Sequence, residues 1–243
     1  MSSPSPPTLE NEGRLLVVRF DRPQRTLSSA IVGGGFGHAR AVAWRFVRNA
    51  ELPHDVDPAA LLDRALSQAG LEEAVGMLTA RDLTRFECVT EEANGLFARA
   101  VATVGLGNAV AAGDPPGPLA IGTINVLLQL SSPLTDGAFV EALALAAEAR
   151  TAAVMEARVL SRRSCRWATG TGTDCLVVAA PLAADETATP YVGKHTQLGS
   201  LAGAAVYAAV SAGVRQWIAE QQAPLPPSKK NENENENPQT RAH

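Results

Sequence analysis

Aromatic residues supply only 5% of this 243-residue chain, so bulky ring packing cannot be what fills its interior. Cysteine is nearly as scarce. Cys88, Cys165 and Cys175 are widely spaced, odd in number and contain no C-x-x-C pair, which excludes a disulfide-stapled domain and reads as reduced thiols in a cytosolic protein. A thiolate nucleophile and a small buried hydrophobe are both compatible with each of them. No stripe of basic residues with interleaved aromatics occurs, and 21 basic residues against 25 acidic ones leave a formal charge of -4. Nucleic-acid partners are therefore not expected. No G-x-x-x-x-G-K-[ST] cradle for phosphates is present. The first ten residues carry no lysine or arginine beside an apolar run, so no secretory signal is read there.

Small apolar side chains are what the chain does hold. Hydrophobic residues make up 46%, alanine alone supplies 43 positions and glycine 20, enough for one sizeable core built from closely approaching layers. Residues 1–8 are expected to form a flexible arm, 9–222 one domain, and 223–243, with the Asn-Glu alternation from Asn231 to Asn237, a disordered tail. The uncharged stretch Gln197 to Val214 is rich in Ala, Gly and Ser and has Arg215 and Glu220 close behind. It predicts a buried small-residue helix in preference to a membrane span.

Short apolar or β-branched runs predict strands at 15–20, 26–32, 42–47, 86–90, 96–104, 121–130 and 175–180. Asn94-Gly95 supplies the positive-φ pair of a tight reversal and predicts an antiparallel hairpin over 86–104. Asp57-Pro58 predicts a capped helix ending at Gly70. Apolar residues at three- and four-residue steps predict a second helix from Thr135 to about Leu160, and a third begins near Leu198. The expected fold class is α+β: a single domain with a mixed sheet, or paired sheets, packed against helices.

Thr169-Gly-Thr-Gly-Thr-Asp174 crowds three hydroxyls and a carboxylate into one loop with two glycines. Such a loop can aim donors at an anion or a developing oxyanion, or it can be a tight turn whose threonines satisfy their own backbone. Gly33-Gly-Gly-Phe-Gly-His38 misses the dinucleotide fingerprint and reads as a binding loop or a plain reversal. Thr123 and Asn125, two residues apart on a strand, share a face from which both could hydrogen-bond a substrate amide. His54 sits among Asp55 and Asp57, yet Asp57 is better explained as a helix cap, so no metal site is expected there. His195, in Tyr191-Val-Gly-Lys-His-Thr196 just before the third helix, is either a proton carrier beside Asp174 or a hydrogen-bonded residue at a helix entrance.

Six segments taken in order resemble the adenosylcobinamide amidohydrolase family. They are Val75-Gly-Met-Leu-Thr-Ala80, Val104-Gly-Leu-Gly-Asn-Ala109, Gly122-Thr-Ile-Asn125, Glu148-Ala-Arg-Thr-Ala-Ala153, Ala168-Thr-Gly-Thr-Gly-Thr-Asp174 and Tyr191-Val-Gly-Lys-His-Thr-Gln-Leu-Gly199. The resemblance runs from about Leu27 to Val214, and its last two motifs are the most specific. Val104 departs from the alanine usual in relatives.

Membership implies hydrolysis of the amide between the aminopropanol arm and the corrin ring of adenosylcobinamide, giving adenosylcobyric acid for corrinoid salvage. The site it suggests pairs Asp174 with His195 to activate water, with Glu148 as a further acid/base candidate. Thr171, Thr173 and nearby backbone N–H groups would hold the oxyanion, Asn108, Thr123 and Asn125 orient the amide or a corrin side chain, and Ser28, Ser29 and Gly34 line the ring pocket. Attack by Thr171 or Thr173 themselves stays open. The expected partner is the small-molecule corrinoid, with no cofactor or metal assigned, a cytoplasmic setting, no membrane span, and a homo-oligomer compatible with the sequence. The alternatives are a non-catalytic corrinoid carrier and, disfavoured by the missing phosphate loop, a nucleotide-dependent transferase.

Overall fold

The computed structural model describes residues 5–53, 55–117, 122–183 and 188–222. Half of the arm, the tail and His54 fall outside these residues. The fold is α+β, with one mixed sheet in the order β4-β3-β2-β10-β8-β6-β5 and β1 attached to β2. The strands are β1 (Thr8–Glu10), β2 (Leu15–Ser28), β3 (Gly35–Phe46), β4 (Ala74–Thr79), β5 (Glu87–Ala93), β6 (Leu96–Val104), β8 (Ile124–Leu130) and β10 (Cys175–Pro181). A separate two-stranded piece joins β7 (Ala109–Val110) to β9 (Gly170–Thr171). Three helices, α1 (Pro58–Gln68), α2 (Asp136–Glu156) and α3 (Gln197–Gln222), complete the layers.

Local chemistry sets several of these boundaries. Asp57 accepts the Ala59 N–H at 2.9 Å with Pro58 at the first helical position, so α1 starts where a carboxylate cap and a preset φ coincide. Thr135 caps α2 through the Ala138 N–H. Asn94 and Gly95 both take positive φ, 51° and 77°, and turn β5 antiparallel onto β6. The strand expected over 26–32 is cut short: β2 ends at Ser28, and a turn with Gly33 and Gly35 at positive φ leads into β3. Gly34 lies so close to the Ala30 carbonyl that a Cβ would stand 2.5 Å from its oxygen. The segment 74–79, seen in the sequence only as a motif, is an edge strand parallel to β3.

Strand β2 runs for 14 residues because it serves two parts of the sheet. Its first half pairs with β1 and the end of β3, its second half with β10 and the start of β3. The register shifts between Arg19 and Gln24, at Pro23, where the missing ladder N–H is tolerated because the pairing is already interrupted. Alternation then sorts the core. Leu15, Val17, Ala41 and Ala43 pack with Leu62 and Leu66 of α1, while Leu16, Val18, Val42 and Trp44 share a cluster with Val101, Leu127 and Val177 of the central strands.

The opposite face of those central strands carries α2 and α3. Helix α3 is long and apolar enough to cross a membrane by composition, but Leu201, Ala205, Val206, Ala209 and Val210 are buried in the core it forms with the sheet and α2. Its small residues let it pack tightly: a Cβ on Gly213 would meet Val104 at 2.6 Å. On the other side, Phe36 meets Phe139 edge to face with centroids 6.0 Å apart, and the Arg25 guanidinium lies 5.1 and 5.2 Å from the two rings. This fastens the start of β3 to the first turn of α2.

Candidate active site

Strands β10 and β8 run parallel with Cys175 opposite Asn125, and β10 runs antiparallel to β2 with Val177 opposite Ser28. The topology therefore brings the end of β2 and the starts of β8 and β10 to one end of the sheet. Loops fill the same place. The β7–β9 pairing sets Asn108 against the threonine-glycine loop, where the Gly172 N–H donates to the Asn108 carbonyl at 3.2 Å. Ser28, Ser29, Gly34, Asn108, Thr123, Asn125, Thr171, Thr173 and Asp174 are all held at this end.

Asp174 is the hub of that cluster. Its carboxylate accepts the Ile124 N–H at 3.0 Å, the Thr171 N–H at 3.0 Å and the Thr171 hydroxyl, and forms an ion pair with Arg150. Both side chains are largely buried, 10% exposed for Asp174 and 15% for Arg150. Burial pushes the Arg150 guanidinium below its ordinary pKa. Gly170 makes room for the pair, since a Cβ there would sit 2.3 Å from Asp174 Oδ2 and 2.6 Å from Arg150 Nη1.

The rest of the loop is tied to β8 and β10. The Thr123 hydroxyl lies 2.9 Å from the Thr173 carbonyl and 3.0 Å from Asn125 Oδ1. Gly122 takes φ 143° where a Cβ would meet the Asn108 amide nitrogen at 2.5 Å. Ser29 and Leu176 exchange two hydrogen bonds, the Ser29 N–H donating to the Leu176 carbonyl and the Leu176 N–H to Ser29 Oγ, both at 3.0 Å. Ser28 Oγ accepts the Ala30 N–H at 2.9 Å. Ser29, Gly34, Gly172 and Thr173 are exposed and form the accessible rim, above a floor of buried Ser28, Asn108, Thr123 and Asn125.

Two expectations need correction. Asp174 and His195 do not form a pair: both Asp174 oxygens are occupied by Arg150, Thr171 and Ile124, and His195 is exposed in the turn before α3. That turn is anchored elsewhere. The Thr135 N–H donates to the Thr189 carbonyl, the Val192 N–H to Glu141, and Lys194 bonds Glu148 at 2.6 Å. Leu134 and Thr135 follow the far end of β8, a seven-residue strand that is roughly 20 Å long. Glu148 lies in its exposed ion pair with Lys194, 58% and 65% exposed, outside the cluster. Thr196 caps α3 by accepting the Gly199 N–H at 2.9 Å, which places exposed His195 one residue ahead of the cap.

Asn125 is the second correction. It is fully buried, donates to the Leu78 carbonyl at 2.8 Å and is met at Oδ1 by Thr123. Its NH2 is spent on Leu78 and its Oδ1 shares the single Thr123 hydroxyl proton with the Thr173 carbonyl, so the fully buried side chain braces the floor and does not face a ligand.

Arg150 and Cys175 belong to the cluster and were not among the expected site residues. Arg150 carries a readable signal: it lies four residues after Ala146 and three before Ala153, on the face of α2 that the alanines bury, where a charge requires a partner. The Cys175 sulfur lies 3.9 and 3.8 Å from the Ser29 and Thr173 carbonyls, and burial pushes its thiol up. A protonated thiol is a weak nucleophile. Among the described residues no group of three or more metal-binding side chains occurs.

This is an α+β domain whose sheet end gathers hydroxyls, glycines and an arginine-paired carboxylate. The family model for adenosylcobinamide amidohydrolase matches residues 5–222, and the chain belongs to that family. An uncharacterized protein of Methanocaldococcus jannaschii, MJ1613, is 38% identical over 87 residues, 35% of this chain and 33% of that protein; the chain thus covers a third of that relative's length. Among solved structures, a beta-aminopeptidase of a Burkholderia species has a TM-score of 0.45 at 13% identity, covering 84% of this chain and 78% of its own. The PH0078 protein of Pyrococcus horikoshii OT3 has a TM-score of 0.43 at 11% identity, covering 85% and 77%.

Proposed function

We propose that this protein hydrolyses the amide joining the aminopropanol arm to the corrin ring of adenosylcobinamide, giving adenosylcobyric acid and free aminopropanol in corrinoid salvage. The observation that carries the reading is the convergence of Thr171, Thr173, Asn108, Ser28, Ser29 and Gly34 on one sheet end, in a chain of the amidohydrolase family. Water adds to the amide carbonyl, the C–N bond breaks, and the departing amine takes up the proton. The accessible Thr173 hydroxyl meets the carbonyl oxygen as it gains charge, from a loop that Thr171 ties to Asp174. Asp174, with its oxygens already engaged, orients Thr171 and does not itself remove the proton. Ser29 and Gly34 line the approach of the macrocycle, Asn108 braces the floor beneath it, and the cytoplasm is the setting in which the substrate is met.

Incubating the purified protein with adenosylcobinamide and measuring free aminopropanol tests the reading. Release at a rate set by enzyme concentration supports it. Corrinoid binding without release would make the chain a carrier and overturn it. Mass spectrometry of the quenched reaction separates the two chemical routes, since an adduct on Thr171 or Thr173 would replace direct water attack with an acyl-enzyme.

A further inference from the structure

We propose that Arg150 is a positioning residue of the amide-hydrolysing site, acting through Asp174 to hold the Thr171–Thr173 loop in its working conformation. The inference rests on the amidohydrolase reading and adds to it a residue of α2 that touches no substrate.

The geometry is a relay with one adjustable member. Asp174 binds two separate pieces of backbone, the Ile124 N–H at the start of β8 and the Thr171 N–H in the loop, together with the Thr171 hydroxyl. A carboxylate with two backbone donors can rotate about its terminal torsion and exchange its oxygens. Arg150 removes that freedom by engaging Oδ2 from the helix side. The Thr171 hydroxyl is thereby fixed in direction, and the Thr173 carbonyl is fixed in turn by Thr123.

Two features separate this from an ordinary structural ion pair. Arg150 Nε is buried and has no hydrogen-bond partner, so the guanidinium is held for the sake of the contact at one end. Gly170 leaves room where any side chain would strike both partners, so close approach of the pair is built into the loop's sequence. Removing Arg150 leaves Asp174 buried beside the loop with only neutral donors, and a carboxylate in that state draws the loop or water toward itself. Small displacements of this kind are costly in turnover, since misplacement by about 1 Å can cost on the order of 10²-fold.

The test compares the parent with Arg150→Ala, Arg150→Lys and Arg150→Ala supplemented with millimolar guanidinium, following aminopropanol release and, separately, corrinoid binding by visible absorption. The parent is assayed first: absence of release there defeats the amidohydrolase reading itself. With an active parent, Arg150→Ala is expected to lose about 10²-fold in kcat while KM and corrinoid binding change little. Added guanidinium should restore part of the loss, and Arg150→Lys should fall between. If Arg150→Ala does not fold, the lysine variant carries the same comparison of kcat against KM. Parental kcat in either folded variant, or a loss in binding that matches the loss in kcat with no guanidinium rescue, would overturn the proposal.

Discussion

The side-chain amide of fully buried Asn125 donates to the main-chain carbonyl of half-buried Leu78 at 2.8 Å, joining the central strand β8 to the edge strand β4. These strands are four places apart in the sheet order, so the bond forms because the sheet folds over on itself. Asn125→Ala would leave the Leu78 carbonyl without its partner. A stranded buried group costs about 1–3 kcal/mol, and urea unfolding is expected to show a loss of that size, with the site's hydroxyl floor disturbed as a consequence.

Glycine substitutions should divide sharply by position. Gly122→Ala forces a Cβ onto the Asn108 and Gly107 amide nitrogens, at 2.5 and 2.7 Å, from a φ of 143°. Gly199→Ala strikes the Gly193 and Val192 carbonyl oxygens at 2.2 and 2.3 Å. Each is expected to destabilise by about 2 kcal/mol or more, whereas Gly193→Ala, with nothing within 4 Å, should stay within about 0.5 kcal/mol of the parent. Thermal unfolding of the three variants side by side checks the ordering.

His195→Ala alters an exposed side chain in the turn ahead of α3, so its unfolding midpoint should lie within about 2 °C of the parent's. Turnover of this folded variant then reports chemistry alone. The geometry of the Asp174 cluster predicts near-parental kcat, and a fall of about 10²-fold, the usual size for a general acid or base, would draw the Thr189–Gln197 end of the sheet into the reaction.

The Cys175 thiol, raised by burial above its ordinary value of 9.0, should alkylate more slowly than exposed Cys165 in a Cys88→Ser background, because less of it is thiolate at any given pH. The sign for stability follows. A folded-state pKa above the unfolded one gives a contribution that is complete below the unfolded value and disappears as pH rises through the folded one. Cys175→Ala is therefore expected to lose less stability than the parent on passing above about pH 9, read from urea midpoints across that range.

Much of the architecture was legible where one local signal decides the outcome. Asp57-Pro58, Thr135 and Asn94-Gly95 each set an element boundary through a cap or a turn, and all three hold. Strand limits were harder where neighbours decide. Ser28 and Ser29 sit in a stretch with strand-like composition, but the close approach of Gly34 to Ala30 ends β2 early. Edge strand β4 escaped notice because Gly76 interrupts its β-branched character, and that glycine is there to admit Leu62 and Leu66 of α1.

At the site, residue types were readable and partnerships were not. Thr171, Thr173 and Asn108 meet because β7 pairs with β9, a two-residue contact that no periodicity announces. Asp174 was recognisable as important, yet its partner came from α2 and not from the more conspicuous histidine motif. A carboxylate selects the nearest cation in space, and spacing along the chain carries little information about that choice.

The double service of β2 also bears on how the polypeptide matures. Residues Gln24–Ser28 wait for β10 to complete their ladder, and β10 begins 147 residues after Ser28. Long-range pairing of this kind makes for slow folding. Until Cys175–Pro181 arrives, the nascent chain exposes an open strand edge, which makes the interval before closure its period of greatest need for a chaperone.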